Sequence, residues 1–401
     1  MDFRLTEEQE EFKQQVAKFI ADNVTPELIE EVRTTLVVGP GPRQWELARK
    51  LGDKGWLAPH FPKQYGGLGL SPIYRAIVVD EQMKHLRGRG LVGAAGVGLG
   101  VAIDMAGPVI LQYAGEEIKE EFLPRIARGE IEFCLGLTEP EAGSDLSRIE
   151  MRAVEDGDYF VITGVKRFNS QAHYAQYHWL AARTDPSAVP GYRGLSMFIV
   201  DLGLPGITLA SLSAMSGTRT NEVFYDEVRV HKRYLVGEKN RGWHYLMHSL
   251  DHERVFTLVA LQQQFESLLT YVKETSHNGI LLSKDRLVRQ KLAQVGIELS
   301  IARRFNQRVL WLQDQGMPLG TEAAVLKVFA SEFMQRMMNS ATHILGLYGL
   351  LRRDSKYARL EGEFARDFLE SIILTVGAGS SEIMRNIIAL RGLGLPRGGQ
   401  S

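Results

Sequence analysis

The sequence predicts an α+β protein that is built from three consecutive domains. An N-terminal helical domain is expected at residues 1–130, a central antiparallel β-barrel at 131–240 and a C-terminal four-helix bundle at 241–401. Three observations predict this order. Helical periodicity dominates the first part, short β-type runs follow without intervening helices, and helical periodicity then returns.

The N-terminal helical domain is predicted from capping and periodicity. Thr6 and Gln9 have the spacing of a capping box, and Phe12, Val16 and Ile20 follow at helical intervals. The helical patterns of this domain lie at about residues 6–22, 44–55, 72–86 and 115–128.

The central domain is predicted from short runs that are rich in β-branched and aromatic residues. These runs read IEFCLGLTE, YFVITGVKRF, YHWLAART, LSMFIVDL and EVFYDEVRV. Turn signals separate them, among them Asp156-Gly157. Because no helical pattern lies between the runs, we expect a small antiparallel sheet or barrel rather than βαβ units.

The C-terminal domain is predicted from the return of helical spacing after residue 240. Four long helices and a shorter fifth one are expected, at about 241–275, 284–313, 320–348, 356–374 and from 380 onward.

Bulk composition excludes several classes of protein. Lys and Arg number 47 against 48 Asp and Glu, and this balance argues against nucleic acid as a partner. Cys134 is the single cysteine, so an intramolecular disulfide is excluded. We expect no membrane span and no metal site, since the histidines at 244, 248 and 252 lack a partner at a signature spacing. The acidic N-terminus does not resemble a secretory signal, and we expect a bacterial cytoplasmic or processed mitochondrial matrix protein.

One loop carries residue types that are suited to binding a cofactor. The run LTEPEAGSD, residues 137–145, follows the predicted strand IEFCLG. It offers hydroxyls, backbone N–H groups and a glycine that allows close approach, as loops that hold a ring edge or a phosphate do. An ordinary Gly/Ser/Asp loop has the same composition, so composition does not separate the two interpretations.

The segment TEPEAGSD resembles the TEP-x-AGSD loop of the acyl-CoA dehydrogenases. Other segments resemble the same family in the same order, namely GWLAPHFPKQYGGLGLS, KEEFLPRIARGE, GVKRFNSQAHYAQYHWLAART, LVGEKNRGW and GAGSSEIMRN. The resemblance implies a helical domain, a β-barrel and a four-helix bundle. It also implies FAD, an acyl-CoA thioester, an electron-transferring flavoprotein as oxidant, and a homo-oligomer in which each FAD touches a neighbouring subunit.

The resemblance assigns one group of cofactor residues to the central domain. It implies that Thr138 bonds the pyrimidine edge of the flavin, that Ser144 lies between the pyrophosphate and the CoA arm, and that Ser170 meets flavin N5. Phe168 replaces the family's stacking Trp and keeps an aromatic face. The complete group is Leu135, Leu137, Thr138, Gly143, Ser144, Phe168, Asn169 and Ser170.

A second group of cofactor residues is implied in the C-terminal domain. Ser380 and Glu382 match positions near the flavin, and Gly346 and Gly349 match a loop on the adenine side. This part of the site departs from the family, because His343 replaces a Gln and Leu347 replaces a glycine. The family's R-x-x-F-G reads TSHNG at residues 275–279, and a later Gln is replaced by Arg286. Arg286 or Arg289 is a candidate for the positive charge near the pyrophosphate.

The catalytic base is implied by a second departure. Most relatives supply a carboxylate from the E of E-G-T, which is Ala378 here. A minority, including isovaleryl-CoA dehydrogenase, carry L-x-x-E-R on a bundle helix, and LDHER at residues 250–254 resembles it. Glu253 is therefore the expected base. A structural pair between Glu253 and an arginine is the alternative.

Four further positions are implied to contact the substrate. Asp251 and Arg254 match a family pair near the CoA portion, although an i, i+3 ion pair on a helix surface is the alternative. The resemblance implies that the backbone N–H of Ala378 helps to polarise the thioester carbonyl, and Gly379 is also assigned to substrate binding.

The leading functional hypothesis is α,β-dehydrogenation of an acyl-CoA to the trans-2-enoyl-CoA. An acyl-CoA oxidase or a flavin monooxygenase on the same fold is one alternative. A non-catalytic subunit of a mixed acyl-CoA dehydrogenase oligomer is another. The placement of the base favours branched, long or steroid-side-chain acyl groups, so we expect a role in fatty acid or steroid catabolism.

Overall fold

The computed structural model describes residues 3–86, 99–253, 258–317 and 319–396, without the side chains of residues 36 and 251–253. The chain divides into two compact units. The first unit comprises residues 9–253, and the second comprises residues 1–8 with 254–401.

The N-terminal part is helical, as predicted. Its helices are α1 (Glu7–Asn23), α2 (Pro26–Val38), α3 (Pro42–Asp53), α4 (Pro72–His85), α5 (Gly107–Tyr113) and α6 (Glu116–Ala127), with a π-helical turn at Val101–Ala106. Helix α2 was not predicted, although Thr25 caps it through its side chain and Pro26 opens it. Phe12, Val16 and Ile20 of α1 are buried, which confirms the apolar stripe read from the sequence.

The central part is a curled, open sheet of seven strands. These are β1 (Phe133–Gly136), β2 (Arg152–Asp156), β3 (Tyr159–Lys166), β4 (Tyr177–Arg183), β5 (Leu195–Asp201), β6 (Ile207–Ser213) and β7 (Arg219–His231). The strand order is β1-β4-β2-β3-β7-β6, and β5 pairs with β4.

The predicted antiparallel β-barrel is therefore wrong in two respects. Among the described residues, β6 pairs only with β7, so the sheet ends in an open edge and does not close. The pairs β1–β4 and β2–β4 are parallel, because β4 enters the sheet between strands that precede it in the chain. Such pairs need a long crossover, and residues 137–176 supply it between β1 and β4.

The helices that follow the sheet are α7 (Gly242–Glu253), α8 (Val259–Glu274), α9 (Arg286–Asp314), α10 (Gly320–Leu345), α11 (Glu363–Leu374) and α12 (Ser381–Ile387). Helix α11 begins later than predicted, since Glu361 and Gly362 have φ values of 54° and 65° and interrupt the helical path. A short hairpin of β8 (Ser276–His277) and β9 (Ile280–Leu281) lies between α8 and α9. No helix in the described ranges is long and apolar enough to cross a membrane.

Candidate active site

The loop after β1 is folded around a narrow turn. Glu139 and Ala142 exchange backbone hydrogen bonds of 2.9 and 3.2 Å. The turn leaves Gly143 and Ser144 exposed. Among the described residues, no atom lies within 4 Å of the place where a Cβ on Gly143 would stand, apart from Gly143 and its chain neighbours. The loop therefore presents an accessible stretch of backbone to a ligand.

Three backbone carbonyl groups of residues 135–138 accept hydrogen bonds from residues 166–169. The carbonyl of Leu135 accepts from Asn169 Nδ2 at 2.7 Å, and that of Thr138 accepts from the N–H of Arg167 at 2.8 Å. The carbonyl of Leu137 accepts from Lys166 Nζ at 3.1 Å. In a planar trans peptide the N–H points away from the C=O. The N–H of Thr138 consequently points away from Lys166.

Several donors of the loop have no protein partner. The N–H groups of Thr138, Gly143 and Ser144 make no hydrogen bond within the described part of the chain, and neither does the Ser144 hydroxyl. Exposed, pre-oriented donors of this kind suit a polar ring edge or a phosphate. The arrangement agrees with the sequence-based assignment of Thr138, Gly143 and Ser144 to a cofactor.

The segment after β3 adopts an unusual backbone that holds Ser170 at the surface. Phe168 and Gln171 have positive φ values of 59° and 75°, which side chains larger than glycine rarely adopt. The Ser170 hydroxyl lies 3.3 Å from Thr220 Oγ1. Strained backbone at a fixed position is frequent at ligand sites. Phe168 is 61% exposed, and the guanidinium carbon of Arg167 lies 6.0 Å from the centroid of its ring.

Asn221 of β7 fixes this segment. Its backbone carbonyl accepts from the N–H of Asn169 at 2.8 Å, and its side-chain Nδ2 donates to the carbonyl of Asn169 at 2.9 Å. Asn169 in turn donates to Leu135, so β1, β7 and the Ser170 segment form one bonded unit. The structure thus joins the predicted residues at 135–138 to the segment at 166–170 through hydrogen bonds.

A buried ion pair lies behind the loop. Lys166 Nζ is 2.7 Å from Glu139 Oε1, and the two side chains are 0% and 7% exposed. Burial lowers the pKa of Lys166 to about 8, against the opposing effect of Glu139. Burial, reinforced by Lys166, lowers the pKa of His178 to about 3, so that imidazole is neutral and bonds the Tyr225 hydroxyl at 2.8 Å.

The second unit carries its own group of predicted site residues around the start of α12. Ala378 and Gly379 have consecutive positive φ values of 55° and 88°. Neither N–H makes a backbone hydrogen bond among the described residues. The Ser380 side chain caps α12 by accepting from Ile383, and bonds to its own backbone and to Ser380 lower the pKa of Glu382.

The departures from the family pattern form exposed features of the second unit. Residues 275–279 form the β8–β9 hairpin, whose turn residues Asn278 and Gly279 have positive φ values of 51° and 78°. Leu347 is 83% exposed between Gly346 and Gly349. His343 Nδ1 lies 3.5 Å from Lys291 Nζ, and Arg286 is exposed at the first position of α9.

The predicted base lies at the limit of what the structure describes. Glu253 is the last residue of α7, and only its backbone is described. Leu246 on the same helix is buried. The side chains of Asp251 and Glu253 lie outside the described residues, as does all of Arg254. The assignments of these three residues stay predictions.

Comparison with known proteins identifies the class. Three family models match the chain, the acyl-CoA dehydrogenase N-terminal domain at residues 6–130, the middle domain at 134–228 and the C-terminal domain at 240–393. The chain belongs to the acyl-CoA dehydrogenase family, a family of flavin-dependent oxidoreductases.

Individual relatives match over nearly their whole length. Acyl-CoA dehydrogenase FadE26 of Mycobacterium tuberculosis is 34% identical, with 99% of each chain covered. A chain of the ChsE4-ChsE5 complex from Mycobacterium tuberculosis has a TM-score of 0.87 and 32% identity, with 99% of this chain and 100% of that chain covered. The Tcur3481-Tcur3483 steroid acyl-CoA dehydrogenase has a TM-score of 0.86 and 32% identity, over 99% and 100%.

Sequence reasoning did not single out Lys166 or Asn221. In YFVITGVK the residues Phe160, Ile162 and Lys166 are an even number of positions apart and all are buried, so the alternation of the strand places Lys166 on the inward face. A lysine at an inward position of a strand requires a buried acceptor or counter-charge, and that requirement was the available signal. Asn221 offered no comparable signal.

Proposed function

We propose that this protein binds FAD and catalyses α,β-dehydrogenation of an acyl-CoA to the trans-2-enoyl-CoA. The observation that carries the proposal is that the N–H groups of Thr138, Gly143 and Ser144 have no partner among the described residues, together with the exposed ring of Phe168 and the hydroxyl of Ser170. A flavin needs donors along its pyrimidine edge, an aromatic neighbour and room for its phosphates, and this surface offers all three.

The resemblance assigns FAD-binding residues in each unit of the chain. Those of the first unit are Leu135, Leu137, Thr138, Gly143, Ser144, Phe168, Asn169 and Ser170, and those of the second are Arg286, His343, Gly346, Gly349, Ser380 and Glu382. Bound FAD supplies a two-electron acceptor that takes hydride from the β-carbon at flavin N5.

The acid–base chemistry is assigned to the chain itself. Glu253 removes the α-proton of the acyl group, since Ala378 leaves no carboxylate at the position most relatives use. The N–H groups at Ala378 and Gly379 assist this proton removal, because donors to the thioester carbonyl acidify the α-proton. Asp251 and Arg254 bind the CoA portion, and Ser144 contacts its arm.

Substrate class is the next element of the proposal. The related Tcur3481-Tcur3483 protein is a steroid acyl-CoA dehydrogenase, and we extend this preference to branched, long or steroid-side-chain acyl groups here. A panel of acyl-CoA thioesters, assayed with an artificial electron acceptor, tests the proposal. Reduction of the acceptor with bulky thioesters is expected. Failure of every thioester to reduce it would overturn the assignment.

The electron acceptor separates dehydrogenase from oxidase. An electron-transferring flavoprotein is the proposed physiological oxidant. Oxygen consumption is therefore expected to be slow while the artificial acceptor is reduced rapidly. Stoichiometric oxygen consumption with each turnover would instead favour the acyl-CoA oxidase or monooxygenase alternative.

A second candidate function is that of one subunit in a mixed oligomer. The exposed Leu347 and the hairpin at 275–279 stand where the family contacts a neighbour's FAD, and two of the related solved structures are named for pairs of proteins. A mixed oligomer, in which another chain completes the cofactor site, is the alternative to a homo-oligomeric dimer or tetramer. Flavin content and sedimentation of the protein purified alone distinguish them. Full flavin content in a homo-oligomer would exclude the mixed assembly.

A further inference from the structure

We infer that Lys166 and Glu139 form a positioning pair that aims the N–H of Thr138 at the flavin, and that Lys166 also strengthens this N–H as a donor. The inference rests on the proposed binding of FAD. It concerns two residues that do not themselves reach the surface on which the flavin would lie.

The contacts of Lys166 define its role. At the end of β3 its ammonium group donates to only two acceptors among the described residues, the carbonyl of Leu137 and the carboxylate of Glu139. Leu137 and Glu139 flank Thr138. Lys166 therefore holds the chain on both sides of the residue that is assigned to the pyrimidine edge.

Glu139 anchors the other end of the pair. Its two carboxylate oxygens accept from the N–H groups of Glu150 at 2.7 Å and Met151 at 3.1 Å, just before β2. Its backbone closes the turn with Ala142. The carboxylate thereby ties the cofactor loop to the sheet, and the ammonium group of Lys166 neutralises it without solvent.

The direction of the Thr138 donor follows from peptide geometry. The C=O of Leu137 and the N–H of Thr138 belong to one planar peptide and point in opposite directions. Because the C=O faces a buried cation, the N–H faces away from the sheet. A cation on the carbonyl also polarises the peptide and makes its N–H a stronger donor. Such a donor stabilises negative charge on the pyrimidine portion of a reduced flavin.

A purely structural ion pair makes a different prediction from a positioning pair. If the pair only stabilises the fold, FAD affinity and thermal stability change together. If Lys166 positions Thr138, the two quantities separate in a variant that removes both charges but also removes the donor to Leu137. Because this variant removes both charges of the pair, it leaves no isolated charge in the core.

The experiment compares Lys166→Met, Glu139→Gln and the double variant with wild type. Melting temperature is measured without FAD, and FAD affinity is measured by flavin fluorescence quenching. We expect Lys166→Met to lower the melting temperature and to weaken FAD binding about ten- to a hundredfold, the usual effect of losing a charge-assisted bond. Glu139→Gln should weaken FAD binding less, because Lys166 keeps its bond to Leu137.

The double variant is decisive. We expect it to recover most of the melting temperature while FAD binding stays at least about tenfold weaker than in wild type. Its bound flavin should also show a shifted visible spectrum. The matched control is Lys232→Met, which breaks an exposed pair with Glu155 and should change neither quantity.

Each outcome bears on the inference. Recovery of FAD affinity together with the melting temperature in the double variant would reduce the pair to a structural role. Wild-type affinity in a folded Lys166→Met, or a larger loss in Glu139→Gln than in Lys166→Met, would also overturn it. If Lys166→Met does not fold, the double variant and Glu139→Gln carry the comparison. A wild-type protein that does not bind FAD would instead refute the proposed function.

Discussion

Asn169 and Asn221 are joined by two hydrogen bonds, one from the N–H of Asn169 to the carbonyl of Asn221 and one from Asn221 Nδ2 back to the carbonyl of Asn169. Both residues are buried, at 1% and 0% exposure. Ser170 follows directly in the chain. Its position therefore depends on a strand that lies 50 residues further along the sequence.

Replacing Asn221 tests this dependence. Asn221→Ala should lower the free energy of unfolding by about 1–3 kcal/mol, since the buried carbonyl of Asn169 loses its side-chain donor. It should also slow reduction of bound flavin by acyl-CoA, because Ser170 is no longer held. Chemical denaturation and rapid-mixing absorbance measure the two effects. Ser211→Ala, at the position paired with Asn221 on β6, is the control and should change neither. A stable, fully active Asn221→Ala would refute the role of this pair.

Gly143 offers a test that separates cofactor binding from folding. A methyl group at this position meets no protein atom within 4 Å, and the backbone is not left-handed. Gly143→Ala should therefore leave the melting temperature of the FAD-free protein unchanged. It should weaken FAD binding, because the added methyl group occupies the side that a cofactor would approach.

Gly115 supplies the matched control for Gly143. It too has open space around a built Cβ and no positive φ, but it lies at the start of α6. Gly115→Ala should leave FAD affinity unchanged, and it should lower stability only slightly, because Gly115 is the N-cap of α6 and Ala is less favourable there than Gly. Equal FAD affinity in Gly143→Ala and wild type, measured by fluorescence titration, would show that the cofactor does not approach the loop closely.

The pH dependence of stability should show the ionisation of Asp367. Burial raises the pKa of this carboxyl to about 6, with Arg366 opposing the shift and Glu363 adding to it. The folded protein then holds a proton between the ordinary pKa of 3.8 and about 6 that the unfolded chain has lost. By linkage, this group makes stability fall as pH rises through that window, by on the order of 3 kcal/mol in total, and the loss is constant above it.

Asp367→Asn isolates this contribution. The stability of the variant minus that of wild type should rise between about pH 4 and pH 6 and should then level off. Taking the difference removes contributions from the buried histidines, whose shifts have the opposite sign. The two carboxylate oxygens accept from Gln264 Nε2 and from Arg366, and Asn, with one acceptor oxygen, keeps only one of these bonds. That loss adds an offset that does not vary with pH. A difference that stays constant with pH in chemical denaturation would contradict the assignment.

The sequence predicted most helices because their signals are local. The stripe of Phe12, Val16 and Ile20 is complete within one helix. The order of the strands was not predicted in the same way, since short apolar runs carry no information on which strand each one pairs with. The barrel was therefore wrong. The five predicted runs coincide with β1, β3, β4, β5 and β7, whereas β2 and β6 were not predicted. Helix α2 was missed, despite the signal of Thr25 and Pro26, because its apolar residues form only a short pattern.

Some parts of the candidate site could be predicted from the sequence, and others could not. The loop from Leu137 to Asp145 was recognisable as a continuous motif. The residues that hold it were not, because Lys166 and Asn221 reach the loop through strand pairings that only the fold creates. Glu253 was identified through a resemblance over five residues, and its side chain lies outside the described part of the chain.

The assignment of Glu253 as the base is the central claim about mechanism. Moving the carboxylate gives a supporting test. Glu253→Gly combined with Ala378→Glu restores the arrangement of most relatives and should recover part of the rate lost in Glu253→Gly. The backbone of Ala378 is left-handed, so the recovered rate is expected to be partial. No recovery together with an unshifted acyl preference would count against a role of position 378 next to the acyl group.

The most direct measurement is anaerobic rapid mixing of acyl-CoA with FAD-loaded Glu253→Gln, following the visible absorbance of the flavin. Glutamine keeps the shape of the side chain and cannot accept the α-proton. We expect the variant to bind FAD and acyl-CoA as wild type does, while the rate of flavin reduction falls by about a hundred- to ten-thousandfold, the usual contribution of a positioned base. Flavin reduction by Glu253→Gln at a rate near that of wild type would contradict the assignment.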